Sequence, residues 1–407
     1  IKFLSYNNSM LSGLSQTARQ TFHHDMRAAM LFGVFGGMIL PFVAIIGRKI
    51  GATEFQIALL TAAPFIANIF ALFWTEDIFG KGRIWYVVWP GAIGRGLLLG
   101  MFFVAAPFYY TLLIFIYLII TAIPFPSYAF VMKANYPDSQ RGRLMSYVRI
   151  GNTGLWIVTS AISGWILQKG TDYYHYIFPV AAIFGVLSAL EFGRIKMSCE
   201  VEKVRKCDND RELMVSLSNL AAPFKNKTFR QFLTSYSFFE FGLLLSIPIF
   251  PIVLVDEVHI PNLVAGIYGS IVSAFGLAGF FFWGYFTDRH TEKRVFSAIS
   301  LVGGCIPLIY LLSRNLWILG AAHAAAGLTY AGMELIGYVV ITRMSSNSEV
   351  PRYMAVYIAL GGLRGGIAPF LGTALKSAFG ASAVFGLSLF LIFLGFISAV
   401  RNKPEKV

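Results

Sequence analysis

Apolar runs of about twenty residues recur along this chain, and no other feature restricts its fold as strongly. The hydrocarbon core of a bilayer is ~30 Å thick and an α-helix rises ~1.5 Å per residue, so a run of that length reads as a membrane-crossing helix. Twelve such runs lie at roughly 28–47, 55–74, 84–105, 109–131, 144–168, 175–194, 232–254, 263–286, 295–312, 316–341, 353–376 and 381–400. Charged residues make up only 13% of the chain and apolar ones 57%, whereas a soluble domain carries about a quarter charged residues. The expected fold class is an all-α membrane protein with twelve transmembrane helices.

The two halves repeat one another. Trp74-Thr-Glu-Asp-Ile-Phe-Gly-Lys-Gly-Arg83 is a charged turn between apolar runs, and it returns as Tyr285-Phe-Thr-Asp-Arg-His-Thr-Glu-Lys-Arg294. Asp77 matches Asp288 and Arg83 matches Arg294 at an offset of 211 positions. Pro41 answers Pro251, Tyr128 answers Tyr338, and Lys133 answers Arg343, each 210 apart. Parallel repeats of this kind are a feature of transporter folds. The chain therefore divides into an N-terminal segment (1–27), a first six-helix bundle (28–194), a central loop (195–230), a second six-helix bundle (231–400) and a short tail (401–407).

The net charge of +13 does not point to nucleic acid. When the loops are assigned alternately to two sides, one side collects 25 Lys/Arg, the other 5 (Arg48, Lys49, Lys169, Arg314, Lys376), and 3 fall inside helices. That bias predicts a multi-pass protein of the cell (inner) membrane with both termini in the cytoplasm, its basic side against anionic lipid headgroups. The first 25 residues carry no signal-peptide pattern. Cys199 and Cys207 fall in the central loop and Cys305 in a helix, which gives neither a disulfide framework nor a metal site. In that loop Leu213, Leu217 and Leu220 follow Asp208-Asn209-Asp210 at helical spacing, the pattern of an amphipathic surface helix.

At the charged turns the chain resembles the major facilitator superfamily, whose signature is a Gly, an Asp four residues later and a basic cluster. The second copy has Gly284, Asp288, Arg289, Lys293 and Arg294; the first keeps Asp77, Gly80, Lys81 and Arg83 but has Phe73 in place of the Gly. The resemblance implies that Asp77 sits near Arg352 and Asp288 near Arg143, as acid–helix contacts that latch the cytoplasmic gate, the first more loosely because of Phe73. It also implies that Tyr128 and Tyr338, on helices four and ten, face the cavity, in substrate contact or in packing. The fifth helix reads Gly151-Asn-Thr-Gly154 without the Gly-Pro pair of the drug antiporters. The sugar-porter signature after helix six is also missing.

Charges inside the runs are the remaining candidates, because hydrocarbon penalises them by at least ~2.5 kcal/mol each. Arg95 lies 12 residues from Arg83, or ~18 Å along a helix, and calls for an ion pair or backbone carbonyls; a peripheral helix three argues against substrate contact. Arg149, ~9 Å deep by the same measure, could snorkel to the cytoplasmic surface. Glu240, Glu334 and Arg364, on helices seven, ten and eleven, reach one depth about 13–18 Å in. A dry carboxylate can carry a coupling proton, and Arg offers a fixed fork to an anion. Glu240 or Glu334 is thus expected to carry the proton and Arg364 the anionic part of a substrate, against the alternative of a structural Glu–Arg pair. His323 is expected at the outer surface. Gly361, Gly362, Gly365, Gly366 and Pro369 make helix eleven bendable or closely packed.

No Gly-rich phosphate loop, metal-ligand cluster or nucleophile with a spaced His appears, so neither an enzyme nor a cofactor is expected. The reading is a monomeric secondary active transporter working by alternating access, coupled to protons, for a small organic anion or zwitterion. Lipophilic-drug efflux, supported by the aromatic content, is one alternative. A non-transporting membrane sensor or assembly factor is another.

Overall fold

In the computed structural model, residues 14–80, 84–121, 124–196, 221–346 and 349–401 are described. The first half comprises α1 (Gln16–Ile39), α2 (Val43–Lys49), α3 (Glu54–Gly80), α4 (Trp85–Gly96) running into a 3₁₀ turn (Leu97–Phe103), α5 (Pro107–Ile120), α6 (Pro124–Asn135), α7 (Asp138–Leu167) and α8 (Tyr174–Phe192). The second comprises α9 (Lys227–Ser246), α10 (Ile249–Asp256), α11 (Asn262–Arg289), α12 (Glu292–Leu312), α13 (Leu316–Met344), α14 (Val350–Phe379) and α15 (Ala381–Arg401). No strand occurs among the described residues. Nine helical stretches among them are long and apolar enough to cross a membrane. Three shorter apolar ones, Glu54–Ile69, Val87–Phe103 and Pro107–Ile120, fall on the second, third and fourth expected runs. Among the described residues, helix falls on each of the twelve expected runs.

The repeat is visible in how the helices break. The first crossing is interrupted between Ile39 and Val43, around Pro41, and the seventh between Ser246 and Ile249, at Pro248. Proline cannot donate to the preceding turn, which favours a break at both places, although Pro251, the repeat-mate of Pro41, itself lies inside α10. Starts are set by side chains that accept orphan N–H groups. Asn226 accepts from Phe229 (3.1 Å) and Asn315 from Trp317 (2.9 Å). Thr53 and Gln56 form a reciprocal box before α3, with Gln56 N–H donating to the Thr53 hydroxyl (3.2 Å) and Thr53 N–H to the Gln56 side chain (2.8 Å).

One boundary moves well away from the hydropathy reading. The first helix begins at Gln16, not near residue 28, with the Ser15 hydroxyl accepting from Ala18 N–H at 3.2 Å. Thr21, Phe22 and Asp25 in its first turns are buried, and the Asn135 side chain donates to Thr21 (2.9 Å) and to the Lys196 carbonyl (2.9 Å). Polar residues that pair inside a bundle escape a hydropathy window. The amphipathic helix expected over Leu213, Leu217 and Leu220 lies outside the described residues, as do Cys199 and Cys207.

Apolar attraction between helices is weak in lipid, so the bundles rely on close fit. Gly365 shows this: a Cβ there would lie 2.0 Å from Phe65 Cγ, so α3 seats directly on α14, and α14 runs unbroken through Pro369. Outward, large apolar side chains such as Phe103 and Trp317 are left bare, as suits a surface facing lipid and its interface.

Candidate functional site

The charges expected at one depth in the second bundle separate into two arrangements. Arg364 Nε donates to Glu240 Oε2 at 2.6 Å, and its Nη2 lies 2.5 Å from the same oxygen but off the hydrogen-bonding line. Its Nη1 donates to the Ser237 hydroxyl at 2.7 Å, and the group sits 5.6 Å from the Tyr236 ring centre. The Tyr357 hydroxyl donates to that of Tyr236 at 2.5 Å. Arg364 is only 8% exposed, so its charge is already matched within the bundle. That is the geometry of the structural Glu–Arg alternative, and it leaves Arg364 little to offer an anion.

Glu334 turns elsewhere. Both its oxygens face Arg149 of the other half at 3.3 Å, and each partner's side chain is 49% exposed. The Arg149 guanidinium also lies 3.8 Å from the Phe280 ring centre. Arg149 therefore reaches across to the second bundle, where the sequence suggested a path to the surface. Tyr338, on the same helix as Glu334, is 45% exposed.

Arg149 borders a cavity of about 750 Å³, which also touches Asp25, Arg95, Tyr128, Asn152 and Phe280. Asp25 is 1% exposed and meets only hydroxyls, those of Tyr136 (2.9 Å) and Tyr128 (3.5 Å), among the described residues. Sequence reasoning missed it because it precedes the first apolar run. Arg95 donates from Nη1 to the Gly185 carbonyl at 2.9 Å and lies 4.8 Å from the Phe32 ring centre. His323, expected at the outer surface, is instead stacked on Tyr268 at 4.1 Å, with Tyr310 at 6.2 Å. Aromatic neighbours on α11 and α12 cover what length counting alone left exposed.

On the face away from the termini the halves are fastened together. Arg48 grips Asp256 with two nitrogens, Nε to Oδ1 at 2.8 Å and Nη2 to Oδ2 at 2.5 Å. Lys49 donates to the Ile260 carbonyl and the Asn262 side chain, both at 2.7 Å, and Asn262 donates to the Leu167 carbonyl at 2.8 Å. Glu54 takes Lys376 and, at 2.9 Å, the Ser377 hydroxyl. A forked Arg–carboxylate pair is both strong and directional. Reversing one member, Arg48→Glu, is expected to open this face and raise labelling of a cysteine placed at Ala29 by a membrane-impermeant thiol reagent about tenfold, equivalent to ~1.4 kcal/mol. Adding Asp256→Arg should restore closure, and labelling indifferent to both changes would discard this fastening.

Of the two expected latches, only the one between Asp288 and Arg143 falls on described side chains, and it is not formed. No ion pair joins Asp288 to Arg143 among the described residues; Arg143 lies 5.9 Å from the Tyr147 ring centre and Arg289 lies 4.0 Å from that of Tyr285. Arg294 enters no ion pair among the described residues, while Arg343 bonds Glu292 at 2.6 Å within the second half. The side chain of Asp77, and Arg83 altogether, lie outside the described residues, so the Asp77–Arg352 contact is not described.

Membrane-length helices in two halves fastened on one face, with a cavity lined by the first half and α11, make the class a membrane transporter rather than an enzyme. The sequence profile described as Major Facilitator Superfamily matches residues 27–250 and 232–407, and the chain belongs to that family. No curated protein sequence matches significantly. Among solved structures, the nucleoside transporter NupG superposes with a TM-score of 0.71 at 14% identity, covering 96% of this chain and 100% of that one. A bacterial homologue of the human lysosomal transporter Spinster gives 0.70 at 15% identity, covering 95% and 98%. A D-xylose–proton symporter gives 0.68 at 12% identity, also covering 95% and 98%. At such identities the likeness is one of fold.

Proposed function

We propose that this protein is a proton-coupled secondary transporter moving a small organic anion or zwitterion by alternating access, here with its cavity open toward the cytoplasm. The observation that carries the reading is the Arg149–Glu334 bridge between the halves at the cavity wall. A half-exposed pair at 3.3 Å is weak, so a bound solute's own carboxylate or ammonium can replace either partner and change how the halves meet. The cytoplasmic orientation rests on the 25-to-5 distribution of basic residues between the two sides.

Proton coupling rests on Asp25 and Glu334. Asp25 is a buried carboxylate with hydroxyl partners and no cation among the described residues, and an isolated charge at a helix-lined cavity marks an ion or proton path. Glu240 is committed to Arg364 and serves structure in this reading. Asp25→Asn is expected to cut pH-gradient-driven accumulation in proteoliposomes at least tenfold while solute exchange continues, read with labelled amino acids, nucleosides and short-chain carboxylates. Undiminished accumulation by the variant would end the proton role of Asp25. Failure of the wild type to move any of these solutes, with the protein folded, would favour a sensor or assembly role.

A further inference from the structure

The three arginines of the interior differ in what answers their charge. Arg364 has Glu240 and Ser237, and Arg149 has Glu334 and Phe280. Arg95 has one hydrogen bond, to the Gly185 carbonyl, and no carboxylate within ion-pair distance among the described residues. Its Nε is buried and meets no acceptor among them. A guanidinium presents five N–H donors and does not lose its charge in proteins. Holding such a cation among apolar side chains without a counter-charge is costly.

Its position gives that cost a use. Arg95 lies on the cavity wall, with its guanidinium 4.8 Å from the Phe32 ring centre and 5.8 Å from that of Phe35. Asp25 touches the same cavity seven residues before Phe32 on α1, or ~10 Å nearer the helix start. The cavity wall thus carries a cation and, nearer the start of α1, an acid, with apolar wall at Val148, Leu277 and Phe280. About 750 Å³ is within the range of sites for drug-sized ligands and far more than an inorganic anion fills.

We propose that Arg95 anchors the anionic group, a carboxylate or phosphate, of an amphipathic organic cargo whose apolar body lies along this wall. The proposal rests on the transport reading for the word cargo, but the recognition it describes is a binding event. It moves the anion subsite from Arg364, whose charge is matched by Glu240, to Arg95, which has no carboxylate partner among the described residues.

The test is binding of phenyl phosphate, benzyl alcohol and benzylamine to the purified full chain in phosphatidylcholine nanodiscs, by calorimetry and by thermal shift. A ligand that binds only the folded state raises its stability with saturation. Phenyl phosphate is expected to bind at least tenfold tighter than benzyl alcohol, with benzylamine weakest. Arg95→Gln should reduce the preference to about twofold or less, and Arg95→Lys should retain part of it. Equal binding of phenyl phosphate and benzyl alcohol by the wild type overturns the proposal even if Arg95→Gln does not fold, as does a preference untouched in a folded Arg95→Gln. Competition by phosphatidylglycerol added to the nanodiscs, again through Arg95, would assign the anion to a lipid headgroup; its absence would assign it to a soluble cargo. A protein that binds phenyl phosphate through Arg95 yet moves no solute would overturn the transport reading alone.

Discussion

Arg364→Ala and Glu240→Ala are each expected to destabilise the protein by about 3–5 kcal/mol, because each leaves a buried charge without its partner. The expectation follows from burial: Arg364 and Glu240 side chains are 9% and 15% exposed, and the fork is further fixed by Ser237. Melting of the detergent-solubilised protein should fall by on the order of 10 °C. Replacing both at once with apolar side chains of similar length, Glu240→Leu with Arg364→Met, should recover most of the loss, since a buried pair is often worth no more than good apolar packing. Arg149→Ala and Glu334→Ala provide the contrast. Their pair is half exposed, so each should cost about 1 kcal/mol or less while still affecting the movement of solute. If Arg364→Ala melted like the wild type, the charge could not be structural, and anion binding at Arg364 would return as the better account.

This division marks where sequence reading stops. Hydrocarbon allows only segments that satisfy their own backbone, so twelve helices and their repeat can be read from residue types alone. Depth along a helix is equally legible, at ~1.5 Å per residue, and it flagged Arg95, Arg149, Glu240, Glu334 and Arg364 as interior charges. Direction around the helix is not legible in that way. Glu240, Glu334 and Arg364 share a depth, yet Glu334 on α13 faces Arg149 of the other half while Glu240 on α9 faces Arg364 on α14. Asp25 was hidden because burial of a carboxylate depends on hydroxyls more than a hundred positions away, at Tyr128 and Tyr136. The far-face fastening did leave a trace. Arg48-Lys49 and Asp256-Glu257 carry opposite charges at nearly equivalent ends of the first and seventh crossings, 208 positions apart. Reading the basic pair only as a count of loop charge passed over that complementarity.

Gly266→Val is expected to have the largest effect on the meeting of the halves. A Cβ at Gly266 would lie 2.4 Å from the Ser160 carbonyl oxygen and 3.0 Å from Gly164 Cα. A Cβ at Gly164 would in turn lie 2.8 Å from the Asn262 carbonyl oxygen. These neighbours are backbone, so no rotamer change relieves the clash, and α7 and α11 must move apart. The hydrogen bonds that depend on that approach would go with it: Ser160 hydroxyl to Gly266 carbonyl, and Ser270 hydroxyl to Ile157 carbonyl, both 2.8 Å. Disulfide formation between cysteines placed at Gln168 and Leu263, which are joined across the same seam at 3.2 Å, should drop at least tenfold in Gly266→Val. Gly154→Ala on the same α7 is the control: its added Cβ meets nothing within 4 Å, and alanine favours helix over glycine by up to about 1 kcal/mol. Cross-linking at the seam should be unchanged there. A Gly266→Val protein that cross-linked as fully as the control would mean that the charged contacts of Arg48 and Lys49, rather than the bare backbone crossing, set the closure of this face.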